Sequence, residues 1–98
     1  MSTVEIQNLD SSSTFSDIQE TIEGNVIIVI PQDLSIQKKL NKIEEEFKEG
    51  IVSKNQHFYK DSISIFMVFE GNLQEFQKLV VEINGIKELK NFRYVILN

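Results

Sequence analysis

The chain has 98 residues, a formal net charge of −5 and no cysteine. A chain of this length holds a single core and therefore a single domain. The lack of cysteine excludes disulfides, thiolate metal ligands and cysteine nucleophiles, and it favours an intracellular protein. No apolar run approaches the roughly 20 residues that span a bilayer, and the N-terminus lacks the basic and apolar blocks of a signal peptide. We therefore expect a cytoplasmic protein with no membrane partner.

The negative charge comes entirely from the start of the chain. Residues 1–24 contain no Lys or Arg, and their acidic residues are Glu5, Asp10, Asp17, Glu20 and Glu23. Residues 25–98 carry ten acidic and ten basic side chains, so this part is neutral. A neutral body offers no basic stripe to a phosphate backbone, and we expect no binding to nucleic acid.

Residues 1–24 form an acidic N-terminal segment, which we separate from a domain over residues 25–98. Val4 to Gln7 alternates as a short strand does, and serines then mark a hinge. Ser16 can cap a short helix that ends before Gly24. The apolar face of that helix would be Phe15, Ile18 and Ile22. The alternative is a flexible acidic lead, because chain termini often fray.

The domain begins with a strand and a helix. Residues 26–30 are five consecutive β-prone apolar residues that Pro31 stops, which is typical of a central or doubly covered strand. Asp33 can cap the helix that follows, and Gly50 ends it. The apolar residues at helical spacing are Ile36, Leu40, Ile43 and Phe47.

A β-hairpin and a second helix follow. Residues 51–60 and 63–70 are β-rich and are joined by the turn-forming pair Asp61-Ser62. Asn72 and Glu75 resemble a capping box at the start of the second helix, which ends at Asn84-Gly85. The closing strand spans residues 92–97, with Phe92, Tyr94 and Ile96 on the side that faces the helices.

The order strand, helix, strand, strand, helix, strand predicts a ferredoxin-like βαββαβ fold, an antiparallel sheet with two helices on one face. The sheet's other face should be polar, yet Phe66 and Val68 alternate with the buried residues of the same strand. We therefore predict that Ser64, Phe66 and Val68 lie at an interface between copies, in a homo-oligomer that is a dimer or a tetramer.

Catalytic motifs are scarce. No serine lies in a Gly-x-Ser-x-Gly elbow, and the four glycines are spaced as helix ends and turns, so no nucleotide-binding loop can be assembled. An acylphosphatase-like site is also excluded, because the only arginine, Arg93, lies on the last strand. His57 is the only histidine. We expect no enzyme activity and no organic cofactor.

Residues 25–97 resemble the C-terminal regulatory domain of the nickel-responsive regulator family, an ACT-like βαββαβ module. The resemblance rests on Lys42-Ile43-Glu44 with Ile51-Val52-Ser53, on Met67 to Gly71, and on Asn84 to Lys87. It implies a tetramer that binds nickel between subunits through three histidines and a cysteine. His57 matches one of those histidines, whereas Asn55, Ile63 and Glu44 occupy the other three positions. Residues 1–24 are too few for the family's ribbon-helix-helix domain.

Two functions from different classes follow. The first is a non-enzymatic ACT-like regulatory or oligomerisation module, with room for a small effector or a protein partner. The alternative is a metal-binding sensor that holds a divalent ion with His57 and with Glu44 of a neighbouring subunit.

Overall fold

The computed structural model describes residues 21–97, which fold into one four-stranded antiparallel sheet and two helices. The strands lie in the order β2-β3-β1-β4, so β1 and β3 are central. The predicted βαββαβ order is confirmed. The elements are β1 (Thr21–Pro31), α1 (Leu34–Glu46), β2 (Ile51–Tyr59), β3 (Ser62–Asn72), α2 (Leu73–Asn84) and β4 (Asn91–Leu97).

The core lies between the helices and one face of the two central strands. β1 and β3 alternate in burial, and their register places Val26 opposite Met67 and Ile28 opposite Ile65. Each buried side chain of this size contributes about 1.5–3 kcal/mol. The strand residues of the core are Ile22, Val26, Ile28, Ile30, Ile63, Ile65, Met67 and Phe69, and the helices add Ile36, Leu40, Ile43, Phe76, Leu79 and Ile83.

Both predicted helix starts are confirmed by side-chain caps. Asp33 Oδ1 accepts hydrogen bonds from the Ser35 backbone N–H at 2.8 Å and from the Ser35 hydroxyl at 2.6 Å. Asn72 Oδ1 accepts from the Glu75 N–H at 2.8 Å. These caps satisfy backbone donors that have no partner inside the helix, so each helix begins where the sequence predicts.

The last residues of the predicted N-terminal helix are wrong, because the strand β1 already begins at Thr21. Ile22 and Gly24 are strand residues, and Ile22 is buried in the core. A side chain at Gly24 would overlap the ring of Phe76, so only glycine leaves room for that ring. The rest of the predicted helix and the stretch Val4 to Gln7 lie outside the described residues.

The hairpin turn lies one residue earlier than the sequence suggested. Tyr59 pairs with Ser62, and the two turn residues are therefore Lys60 and Asp61. Lys60 adopts φ 55°, a left-handed conformation that residues other than Gly, Asn and Asp rarely occupy. Asp and Ser are common turn residues and lysine seldom adopts this conformation, so the sequence favours a turn at Asp61-Ser62.

Phe76 of α2 is the centre of an aromatic cluster on the helix side of the sheet. Its ring centroid lies 5.5 Å from that of Phe69 and 5.7 Å from that of Tyr94. Tyr94 and Phe92 therefore face the helices, as predicted. Neither described helix is long and apolar enough to cross a membrane.

Candidate functional site

The candidate site is the open face of the sheet, the face opposite the helices. Directly paired residues of an antiparallel sheet point to the same side, so the register defines this face. Its members are Ser53, Asn55, His57 and Tyr59 of β2, Ser62, Ser64, Phe66, Val68 and Glu70 of β3, Glu23, Asn25, Ile27 and Val29 of β1, and Asn91, Arg93, Val95 and Leu97 of β4.

An apolar band crosses the middle of the open face; we define it as Ile27, Val29, Phe66, Val68 and Val95. Ile27 and Phe66 lie directly opposite each other and are 47% and 41% exposed, and Val95 is 57% exposed. Val29 and Val68 are half-buried. Such a contiguous apolar band is unusual on a sheet face that contacts only water.

The residues predicted at an interface belong to this surface. Ser64, Phe66 and Val68 all point to the open face, next to β1 on one side and β2 on the other. Their role in association stays a prediction. Sequence reasoning missed Ile27 and Val95, although the five-residue apolar run of β1 was a signal that both of its faces are apolar.

Polar groups surround the apolar band in an ordered way. Asn25 Nδ2 donates to Glu23 Oε2 at 3.2 Å, and Glu23 lies opposite Glu70 at one end of the face. Arg93 lies opposite Ile27, further along the same strands. The face therefore carries carboxylates at one end and a guanidinium near its middle.

A shallow depression of about 440 Å³ lies on the β2 side of the apolar band. Ile27 and Phe66 are its apolar lining, and Asn55, His57 and Ser64 supply hydrogen-bonding groups. His57 lies opposite Ser64, and Asn55 lies opposite Phe66. An apolar floor with a few polar groups also occurs in small-molecule sites.

Glu44 lies on the other side of the sheet from His57, so the structure does not bring the two predicted metal ligands together within one chain. Glu44 Oε1 accepts from Lys54 Nζ at 2.7 Å, and Lys54 points to the helix side. Glu44 Oε2 is buried and has no hydrogen-bond partner among residues 21–97. Within residues 21–97, no group of three or more His, Asp or Glu side chains is arranged to hold a metal ion.

In the part of the chain that the structure describes, two carboxyl groups have a lowered pKa, and both lie at the ends of elements rather than in the depression. Hydrogen bonds from Ser35 lower the pKa of Asp33, because they stabilise its charged form. The ammonium of Lys90, 3.3 Å from Asp61 Oδ1, lowers the pKa of Asp61 in the hairpin turn. These groups stabilise the helix start and the turn.

No protein-family model matches the chain's sequence, and no curated protein sequence matches it. Solved structures do match the chain's fold. An uncharacterized protein from Thermotoga maritima has a TM-score of 0.75 and 17% identity, and the match covers 81% of this chain and 100% of that one. The ACT domain of GTP pyrophosphokinase from Chlorobium tepidum has a TM-score of 0.64 and 10% identity over 78% of this chain and 100% of that domain.

The de novo designed protein Foldit4 is also similar, with a TM-score of 0.60 and 14% identity over 81% of this chain and 98% of that protein. Identities this low show the fold alone. The chain has an ACT-like, ferredoxin-like fold, which is shared by the ACT domain of a GTP pyrophosphokinase and by a designed protein. Function must therefore be argued from the open face rather than from the architecture.

Proposed function

We propose that this chain is a non-enzymatic ACT-like regulatory module that self-associates through the open face of its sheet and holds a small effector between two copies. The observation that carries the proposal is the apolar band, in which Ile27, Phe66 and Val95 are each about half exposed. Burying such a band against a second copy removes apolar surface from water, which stabilises the assembly.

The size of the open face supports a second copy as its occupant. Four strands about 4.8 Å apart, with about nine residues each at about 3.3 Å, give a face of roughly 550–600 Å². Two such faces bury roughly 1,100–1,200 Å², which reaches the lower bound of stable protein interfaces. A small effector alone would leave most of the band exposed.

The charges of the open face also suit a copy of itself. A two-fold axis through the row of Val68, Asn25 and Val95 brings the Glu23 end of one face towards Arg93 of the other. Opposite charges then approach each other beside the apolar band, and such complementary charges favour association. Homo-oligomers mostly use such self-complementary two-fold contacts.

Phe66→Glu tests the proposal, because it places a charge at the centre of the apolar band. We expect the mass measured by sedimentation velocity to fall relative to the wild type. Phe58→Glu is the matched control: Phe58 is an equally large and 54% exposed aromatic residue, but it faces the helix side on β2. An unchanged mass for Phe66→Glu would refute association through the open face.

The depression beside His57 supports an effector site, since a second copy would close it. We also propose that the chain shares its regulatory scaffold with the nickel-responsive regulator family. Ser64→Trp would fill the depression without adding charge. We expect it to block binding of effectors found by a thermal-shift screen of metabolites. Retained binding would locate their site elsewhere.

A divalent metal ion bound by His57 and by Glu44 of a neighbouring subunit is the second candidate. The buried, unpartnered Glu44 Oε2 favours it, because a carboxylate oxygen without a hydrogen bond is costly unless a cation or a water satisfies it. Calorimetric titration of chelator-treated protein with nickel, zinc, copper and cobalt tests this function. Binding must disappear in His57→Ala, and undiminished binding would refute a role for His57.

A further inference from the structure

The two ends of the described domain differ in charge, and the topology decides which residues lie at each end. Pro31 pairs with Ser62 and Val29 pairs with Asn91, so β1 ends beside the turn of the β-hairpin and beside the start of β4. The helix α1 begins at this same end, and α2 ends there. We define the hairpin end as residues 31–42, 57–64 and 85–93, and the opposite end as the other residues of 21–97.

The hairpin end is basic and the opposite end is acidic. Seven exposed basic side chains lie at the hairpin end beside three acidic ones, whereas eight acidic side chains lie at the opposite end beside three basic ones. Residues 25–98 are neutral as a whole, so the separation follows from the fold. The basic residues of the hairpin end are Lys38, Lys39, Lys42, Lys60, Lys87, Lys90 and Arg93, and its acidic residues are Asp33, Asp61 and Glu88.

Most of the basic charge of the hairpin end is not neutralised by residues 21–97. Lys39 Nζ lies 3.3 Å from Glu88 Oε1, and Lys90 Nζ lies 3.3 Å from Asp61 Oδ1. The third acid, Asp33, caps α1. The basic side chains that make no ion pair with residues 21–97 are Lys38, Lys42, Lys60, Lys87 and Arg93.

Large apolar side chains are exposed among these basic residues. Leu34 at the start of α1 is 66% exposed, and Phe58 and Tyr59 at the end of β2 are 54% and 62% exposed. The Gln32 N–H donates to the carbonyl of Asp61 at 2.8 Å, and Leu34 and Tyr59 each lie two residues from this contact. A surface that is both basic and apolar favours a partner that is both acidic and apolar.

The chain itself contains a segment of that chemistry. Residues 1–20 have four acidic side chains and no basic one, and they join the domain at Thr21, on the acidic opposite end. Like charges disfavour contact between this segment and the opposite end, whereas the hairpin end attracts it. Within the segment, residues 4–10 combine the acids Glu5 and Asp10 with the apolar residues Val4, Ile6 and Leu9.

We propose that residues 4–10 dock on the hairpin end of their own chain. The distance permits it: β1 spans about 33 Å from Thr21 to Pro31, and residues 11–20 reach about 33–36 Å when extended. A covalently linked partner has an effective concentration of the order of millimolar. Individually weak surface ion pairs are therefore enough to hold it.

The acidic residues of the segment differ in reach, which provides an internal control. Glu5 and Asp10 reach the hairpin turn, whereas Asp17 and Glu20 stay within about 14 Å of Thr21, well short of that turn. The contact goes beyond the proposed association through the open face, because no residue of the apolar band takes part in it.

Carbodiimide cross-linking of the full chain tests the contact, because it joins a carboxylate to a lysine amine without a spacer. Mass spectrometry of the digested protein should find links from Glu5 or Asp10 to lysines of the hairpin end, and none from Asp17 or Glu20 to the lysines beside the turn and after α2. The expected acceptors are Lys38, Lys42, Lys60 and Lys87, of which Lys60 and Lys87 are out of reach of Asp17 and Glu20.

The pair of Lys54 and Glu44, with Nζ and Oε1 2.7 Å apart, is the positive control and should be linked in every sample. Links from residues 4–10 should be lost at about 1 M salt, where the Debye length is about 3 Å. The link between Lys54 and Glu44 should persist, since this pair is partly buried and is screened less.

Matched charge variants test the surface while all acidic residues stay in place. Lys60→Glu/Lys87→Glu should lower the yield of links to the remaining Lys38 and Lys42 about three-fold or more, as the loss of two exposed ion pairs implies. Lys48→Glu/Lys78→Glu makes the same change in net charge at the opposite end and should keep the wild-type yield. Equal yields in the two double variants would overturn the hairpin end as the docking surface.

Isotope mixing separates docking within one chain from docking between copies. Labelled (15N) and unlabelled protein are unfolded together, refolded and cross-linked, and each link should join peptides of the same label. Links between labelled and unlabelled peptides would overturn docking within the chain. Links spread equally over the lysines of both ends, or none while Lys54 and Glu44 are linked, would overturn the proposal altogether. Phe66→Glu should give the wild-type links, so failure of the open-face association is distinguishable.

Discussion

Gly24→Ala should destabilise the protein through a single contact, the one between β1 and the ring of Phe76. A Cβ at position 24 would overlap that ring. The ring has little freedom to move, because Phe69 and Tyr94 lie 5.5 and 5.7 Å from it and its side chain is fully buried. Overpacking of this kind costs about 1–3 kcal/mol.

The same replacement also lowers the conformational entropy of the unfolded chain, which stabilises the folded state and opposes that cost. Alanine has fewer unfolded conformations than glycine, and no described glycine has a positive φ, so the replacement itself stabilises by about 0.4–1 kcal/mol. The new Cβ would overlap several atoms of a ring that cannot move, so the cost lies at the upper end of its range and the net loss is about 2 kcal/mol in the free energy of unfolding. Urea denaturation followed by circular dichroism measures it, at one fixed protein concentration because association shifts apparent stability.

The double-mutant cycle with Phe76→Leu tests the cause. A smaller side chain leaves room for the new methyl group, so Gly24→Ala should cost at least about 1 kcal/mol less in the Phe76→Leu background. Gly85→Ala is the control, since a Cβ there meets only Glu82 O at 3.3 Å and Val81 O at 3.6 Å. A neutral Gly24→Ala, or effects that simply add in the double variant, would refute the packing argument.

Two further predictions concern the turn and a helix cap. Lys60→Gly should raise the free energy of unfolding by about 0.5–1 kcal/mol and Lys60→Val should lower it, because φ is 55° at this position; equal stabilities in thermal melts would contradict this. The lowered pKa of Asp33 means that its contribution is present above its unfolded pKa and is lost as pH falls through its folded pKa. Stability should therefore decrease below about pH 4, and less steeply in Asp33→Asn, which keeps a capping side chain; identical pH profiles for the two proteins would exclude this role.

The sequence predicts elements where local chemistry decides them. Asp33 and Asn72 are side-chain caps, and both helices begin beside them. The alternation of β3 correctly separates the buried Ile63 and Met67 from the open-face Phe66. These features depend on residues close together in the chain, which is why spacing alone predicts them.

The errors occur where distant residues decide the structure. Gly24 occupies a core-facing position of β1, but its space is filled by Phe76, so the strand's alternation is hidden in the sequence. Ile22 falls at helical spacing from Ile18 as well as at strand spacing from Val26, and local pattern could not choose between them. The turn at Lys60 uses a conformation that lysine seldom adopts.

The candidate site was predicted only in part for the same reason. Phe66 and Val68 follow from the pattern of β3, whereas Ile27 and Val95 join them because β1 lies between β3 and β4. The opposite sides of Glu44 and His57 likewise follow from the pairing of Lys54 with Met67 and of His57 with Ser64. A shift of one residue would reverse these sides, and sequence spacing does not fix the register.

Sedimentation velocity of the wild type beside Phe66→Glu tests the central claim most directly. Self-association through the open face predicts that the wild type sediments well above 11.4 kDa at micromolar concentration and that Phe66→Glu sediments at a lower mass. A wild type that stays monomeric at tens of micromolar, or a Phe66→Glu variant with unchanged mass, would contradict it.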